Sequence, residues 1–133
     1  MYMSKVRIGI FGVRRGSSVV RYCRTQPDAQ LVAICDKWEQ GLMDKKKELS
    51  EDIAYYTSFD DFIKHDMDAV VLANYANEHA PYAIHCMERG LHVLSEVLPC
   101  QTMAEAVQLV ETVEKTGKVY AYAENYCFMA APY

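Results

Sequence analysis

Two places in this 133-residue sequence combine residue types that could grip a ligand. The first is the turn Gly9-Ile10-Phe11-Gly12-Val13-Arg14-Arg15-Gly16-Ser17. It leaves a β-rich run and enters a helical period, so it presents a helix start whose N–H groups lack partners and whose dipole favours an anion. Glycine suits such a turn because a Cβ would obstruct both the tight bend and the approach of a diphosphate to the backbone. The second place is Asp36, at the end of the next apolar run, near the roughly 20-residue spacing of a dinucleotide-binding unit. A carboxylate there accepts hydrogen bonds from both hydroxyls of an adenosine ribose and repels a 2′-phosphate. The plainer alternatives are an ordinary strand-to-helix turn, and an acid that caps a helix or sits in solvent.

The glycine fingerprint is only partly met. Counted from Gly12, the three glycine positions of G-x-G-x-x-G hold Gly12, Arg14 and Ser17, and Gly16 comes one place early. Arg14, Arg15 and Lys37 add cations that could accept a 2′-phosphate, so NAD is the expected cofactor with NADP left open. Trp38, the single tryptophan, stands where it could flank an adenine or simply pack on its helix.

Other chemistries find no support. The Gly-Lys-Ser/Thr of a P-loop, the G-x-S-x-G of a nucleophile elbow, H-E-x-x-H and the EF-hand spacing are all missing from the sequence. The cysteines, Cys23, Cys35, Cys86, Cys100 and Cys127, are odd in number with no C-x-x-C pair, and the four histidines show no ligand spacing. Reduced thiols in a cytoplasm are expected, and no metal. A net charge of −4 removes the electrostatic basis for nucleic-acid binding. The apolar run Ala69-Val70-Val71-Leu72-Ala73 is far too short to span a membrane, and Arg7 breaks the only apolar run near the start, so no secretory leader is expected. Lys45-Lys46-Lys47, beside Asp44 and Glu48, reads as a solvated helix face.

The elements that must position these residues alternate. With 51% apolar and 24% charged residues the chain has the composition of a folded domain, and its length suffices for one core. Strands are expected over 6–11, 30–35, 53–56, 69–73, 91–95 and 119–123. Helices are expected over 17–25, 38–49, from Ser58 onward, over 79–89, and from a capping box at Thr102–Glu105 to a stop at Gly117. The last helix should bury Ala106, Val107, Leu109, Val110 and Val113. Strand-helix alternation without hairpin turns implies an α/β fold, a doubly wound, mostly parallel sheet of about six strands. Its core should contain Ile8, Ile10, Val32, Ile34, Val70, Leu72, Val93 and Leu94.

Taken in order, several segments carry a specific resemblance. They are Val6–Gly12, Ala33-Ile34-Cys35-Asp36, Asp68–Ala73, His79, Gly90-Leu91-His92-Val93-Leu94-Ser95-Glu96 and Ala123-Glu124-Asn125-Tyr126. Together they resemble the N-terminal, NAD(P)-binding Rossmann domain of the Gfo/Idh/MocA oxidoreductases over essentially the whole chain. The resemblance implies that Gly12, Val13, Arg14 and Arg15 hold the diphosphate and that Asp36, with Lys37 beside it, meets the adenosine ribose. It implies further that Asn74, Tyr75, Asn77 and His79 line the loop toward the nicotinamide, and that Glu96 and Asn125 belong to the same cofactor site. His79 could equally be a helix-start residue bonded to its own backbone.

Two departures qualify what the resemblance implies. The family's Glu-Lys-Pro reads Glu96-Val97-Leu98-Pro99 here, and valine cannot move a proton. No catalytic residue is therefore assigned. The second departure is length: residues 1–133 read as one dinucleotide-binding domain, truncated or excised from a two-domain enzyme, with the family's C-terminal domain absent. The implied activity is hydride transfer between nicotinamide and a sugar- or cyclitol-like substrate, which would be bound only with that missing domain. This chain alone would then be inactive, and a homo-oligomer is admitted. The alternative is a non-catalytic nucleotide-binding or interaction module. The apolar segment Tyr126–Met129 fits a piece meant to pack on something missing, or one folded back over the sheet edge.

Overall fold

The computed structural model describes residues 4–49 and 52–129. Strands β1 (Val6–Phe11), β2 (Ala29–Cys35), β3 (Ala54–Tyr56), β4 (Ala69–Leu72), β5 (His92–Ser95) and β6 (Tyr120–Tyr122) form one sheet in the order β3-β2-β1-β4-β5-β6. All five strand pairings are parallel. Between them run α1 (Ser17–Thr25), α2 (Glu39–Glu48), the single turn α3 (Phe59–Phe62), α4 (His79–Glu88) and α5 (Met103–Thr116). Two short 3-10 turns, Ala76–Glu78 and Asn125–Phe128, follow β4 and β6.

Both faces of the sheet are covered, which is why its strands are near-continuous apolar runs rather than alternating ones. On one face Phe11, Cys35, Val70, Leu72 and Val93 pack with Phe59 and Phe62 of α3, Ala83, Cys86 and Met87 of α4, and Leu109 of α5. On the other, Ile10, Ile34 and Val71 pack with Val20 and Cys23 of α1 and Leu42 of α2.

Three of the expected core residues are only half-buried: Ile8, Val32 and Leu94. Val32 is the extra residue at a register shift, because Ile8 pairs with Leu31 while Gly9 pairs with Ala33. The shift also exchanges the faces of β2, so that Leu31 joins the α1–α2 cluster and Ala33 the opposite one. Leu94 lies on the α1–α2 side of β5, beyond the strands which those two helices cover.

Helix α5 begins with the expected capping box: the Glu105 amide donates to the Thr102 hydroxyl at 3.1 Å, and the Thr102 amide to the Glu105 carboxylate at 3.2 Å. It stops at Gly117, at φ +65°. Its apolar face is narrower than the sequence suggests. Leu109 and Thr112 are buried, whereas Val107 and Val110 are exposed, because α5 packs mainly sideways against α4. Tyr126, Cys127 and Met129 are exposed, and residues 130–133 lie outside the described residues.

The opposite end of the sheet from the glycine turn is tied by charge. Arg7 donates from Nε at 3.1 Å and from Nη2 at 2.8 Å to the two Asp68 oxygens, its amide adds a 2.8 Å bond, and Asp66 also receives its guanidinium. The Arg7 side chain, then the Arg7 amide, hold the Asp68 carboxyl down at about 2. A carboxyl lowered on folding stabilises above its unfolded value near 4 and loses that contribution as pH falls toward the folded value. The Asp68 side chain is 39% exposed, so solvent screening reduces the contribution to about 1 kcal/mol. Denaturant midpoints measured from pH 6 to pH 2 should therefore fall more shallowly for Asp68→Asn than for the parent protein.

Candidate functional site

The strand order reverses between β1 and β4, and parallel sheets open a crevice beyond the carboxyl ends of their strands at such a point. Here the ladder continues into the loops that bound it. Gly12 donates to the Cys35 carbonyl, Asp36 to Tyr56, Ala73 to Phe11 and Glu96 to Leu72, at 2.7 to 3.1 Å. The first residues after β1, β2, β4 and β5 are thereby tied into the ladder. The loops after β1, β2 and β4 frame a cleft of about 510 Å³, with Gly12, Arg14 and Arg15 on one side, Asp36, Lys37 and Trp38 on a second, and Asn74, Tyr75 and Glu78 on a third.

The glycine turn is a tight helical bend. Gly16 donates to the Gly12 carbonyl at 3.0 Å, and Val19 to Gly16 at 3.0 Å. Gly12 has φ +111°, and a Cβ on it would overlap the Ala73 carbonyl of the neighbouring loop. Gly16 occupies the N-cap of α1 with no side-chain cap, and no acid stands in the first turn. An uncapped helix start flanked by Arg14 and Arg15 favours an anion.

Asp36 faces the turn. Its carboxylate accepts the Val13 amide at 2.8 Å and, on the other oxygen, the Trp38 amide at 2.9 Å. A carboxylate has about four acceptor positions, so two remain for a ligand. The Arg14 guanidinium carbon stands 4.8 Å from the centre of the Trp38 ring, so the cation stacks on the wall of the cleft.

On the third side Glu78 links two partners. Lys37 donates to one of its oxygens at 2.9 Å and the Asn74 amide to the other at 3.2 Å. The Glu78 bond raises the Lys37 ammonium above its ordinary value. The buried Asn74 side-chain oxygen, Oδ1, has no partner within the protein. Glu78 escaped the sequence reading because its partner Lys37 is 41 positions away and no local pattern joins them.

The remaining expected residues lie elsewhere. Val13 contributes only its amide, its side chain being buried. His79 is 1% exposed, with Nδ1 3.0 Å from the Leu98 carbonyl and Nε2 3.3 Å from that of Asn74, so it joins two loops from beneath. Asn77 and Asn125 are exposed and Glu96 is half-buried, all three outside the lining of this cleft. Burial pushes the Cys35 thiol, next to the site, up to about 12, which removes it as a nucleophile. Among the described residues no group of three or more His, Cys, Asp or Glu could hold a metal, and no helix is long and apolar enough to cross a membrane.

Comparison with known proteins agrees with this geometry. The family described as "Oxidoreductase family, NAD-binding Rossmann fold" matches residues 6–124. A curated relative, "Glycosyl hydrolase family 109 protein 1" of Bacteroides fragilis, is 34% identical over 130 residues, covering 90% of this chain and 28% of the relative. The chain thus spans little more than a quarter of that protein's length. Among solved structures, a probable dehydrogenase from Thermotoga maritima superposes with a TM-score of 0.85 at 26% identity, covering 92% of this chain and 37% of that one. The WlbA dehydrogenase from Bordetella pertussis, solved with NADH and UDP-GlcNAcA, gives 0.84 at 23% identity, covering 95% and 37%. With the family matched across nearly its whole length, and a parallel sheet whose order reverses at the glycine turn, the chain belongs to the oxidoreductase family with an NAD-binding Rossmann fold.

Proposed function

We propose that this chain is the cofactor-binding part of a cytoplasmic NAD-dependent oxidoreductase acting on a sugar- or cyclitol-like substrate. The observation that carries the reading is Asp36 held against the glycine turn at the point where the strand order reverses. The residues fit a dinucleotide: Gly12 lets the loops after β1 and β4 meet closely beside the cleft, and the buried Asn74 Oδ1 at its wall lacks a donor. The Arg14 and Arg15 amides and the positive end of α1 would hold the diphosphate, with the two guanidinium groups beside it, while the Val13 amide stays on Asp36. Asp36 would take the adenosine ribose hydroxyls, and its charge disfavours the extra phosphate of NADP. Tyr75, 70% exposed, offers aromatic surface to the adenine, and Trp38 with Arg14 stacked on it forms the wall beside it.

Bound there, a nicotinamide dinucleotide supplies a hydride acceptor or donor. Val97, where the resembling family carries lysine, holds no proton to move, so the acid–base groups belong to the rest of the protein. The carbohydrate class is supported by the name of the Bacteroides fragilis relative and by the sugar nucleotide bound to the Bordetella pertussis neighbour.

Since Trp38 is the single tryptophan and lines the cleft, its fluorescence reports on the site directly. Titration with NADH should quench it saturably, with a midpoint between roughly 1 μM and 1 mM, the usual range for enzyme ligands. A folded protein showing no saturation by the top of that range would overturn the proposal.

A further inference from the structure

The cleft wall contains one ion pair that neither the glycine turn nor the ribose carboxylate explains. Lys37 follows Asp36 directly in the chain and leaves the end of β2, while Glu78 closes the 3-10 turn after β4. Their 2.9 Å contact therefore crosses the mouth of the crevice between the two loops that bound it. Glu78 is the more sheltered partner, its side chain 29% exposed against 53% for Lys37. Its second oxygen is held by the Asn74 amide, so the carboxylate is fixed at both ends.

From this arrangement we infer that Glu78 is a specificity-determining residue which, by engaging Lys37, makes the cleft select NAD over NADP. The inference rests on the proposed cofactor reading and deepens it. A 2′-phosphate is an anion on the adenosine ribose, and it would arrive next to Asp36. Lys37 is the cation nearest to that acid in the chain, so it is the group placed to offset Asp36 and receive the phosphate. With Glu78 present, Lys37 is already paired and the trio of Asp36, Lys37 and Glu78 carries a net negative charge. Arg14 and Arg15 are the cations that the proposed cofactor reading assigns to the diphosphate, which leaves Lys37 as the cation adjoining the ribose acid. Asp36 alone would leave the discrimination open to Lys37; Glu78 closes it.

The test compares NADH and NADPH affinities for the parent protein, Glu78→Gln, Lys37→Met and the double variant. Glutamine keeps the length and one acceptor for the Asn74 amide but drops the charge. The expected result is a parent that favours NADH and a Glu78→Gln protein whose NADPH-to-NADH affinity ratio rises by about fivefold, the scale of one charge contact at a partly exposed site. Adding Lys37→Met should abolish that gain. If the parent binds NADH and the ratio is unchanged in Glu78→Gln, the inference fails while the cofactor reading stands. A gain that survives Lys37→Met also overturns it, since the released cation would then not be Lys37. If the folded parent binds neither dinucleotide, the cofactor reading fails and takes the inference with it. Should Glu78→Gln fold poorly, Lys37→Met alone still decides. It should weaken NADPH no more than NADH, because the lysine is already occupied, and a selective loss of NADPH affinity overturns the inference.

Discussion

Replacing Asp36 with alanine should raise the Kd for NADH by about two orders of magnitude. Two hydrogen bonds from ribose hydroxyls to a charged acceptor are worth about 3 kcal/mol together. The same substitution strips two amides of their acceptor: Val13 at 2.8 Å and Trp38 at 2.9 Å. Val13 is 4% exposed, and an orphaned amide at a buried position costs about 1–2 kcal/mol of stability. The two effects separate with Asp36→Asn, which keeps an acceptor for the Val13 amide but cannot accept from both ribose hydroxyls as a carboxylate does. Calorimetric binding should therefore show asparagine weak for NADH yet close to the parent in denaturant midpoint, and alanine reduced in both. Unchanged NADH affinity in Asp36→Ala would mean that the acid serves only the turn, and the cleft would lose its ribose anchor.

Gly12→Ala should destabilise the protein by about 3 kcal/mol or more. The positive φ alone costs an L-residue about 1–2 kcal/mol, and forcing a methyl into closely packed backbone adds about 1–3 kcal/mol. The obstruction is the Ala73 carbonyl and the Asn74 amide of the loop after β4, which is backbone held by the Ala73-to-Phe11 hydrogen bond and so cannot swing aside. Whatever relaxation occurs must open the β1–β4 seam, the place where the order of the strands reverses. Chemical denaturation measures the stability, and the Trp38 titration should show weakened NADH binding in the same variant. A loss under 1 kcal/mol would show that the turn relaxes freely, contrary to the close approach argued here.

How legible all this was depends on the range of the interaction. Helix α1 and the α5 capping box follow from local residue types, and the structure forms both where the residues ask for them. The doubly wound, parallel six-stranded sheet follows from alternation and crossover handedness, since parallel strands joined by helices leave few topologies, whereas the order β3-β2-β1-β4-β5-β6 comes from the tertiary structure. Helix α5 marks the boundary of that reasoning. Its periodicity gives an apolar face, but how much of the face is covered depends on a neighbour that the helix's own sequence does not describe.

The amino-acid order by itself determined the alternation, the glycine turn and the acid that follows it, because each rests on contacts within a few residues or on a repeating unit of chain. Only the packed molecule decided three other matters. The register shift at Val32 exchanged the two faces of β2, and an unbroken apolar run contains no mark of where such an exchange falls. His79 went beneath the loops because the carbonyls of Asn74 and Leu98 converge there once β4 and β5 pair. Glu78 met Lys37 across the crevice because the sheet brings together the ends of β2 and β4, separated by β1 in space and by 41 positions between the paired side chains. Local chemistry is written in neighbouring residues, whereas a charge pair closed by the fold exists only after the strands have been set side by side.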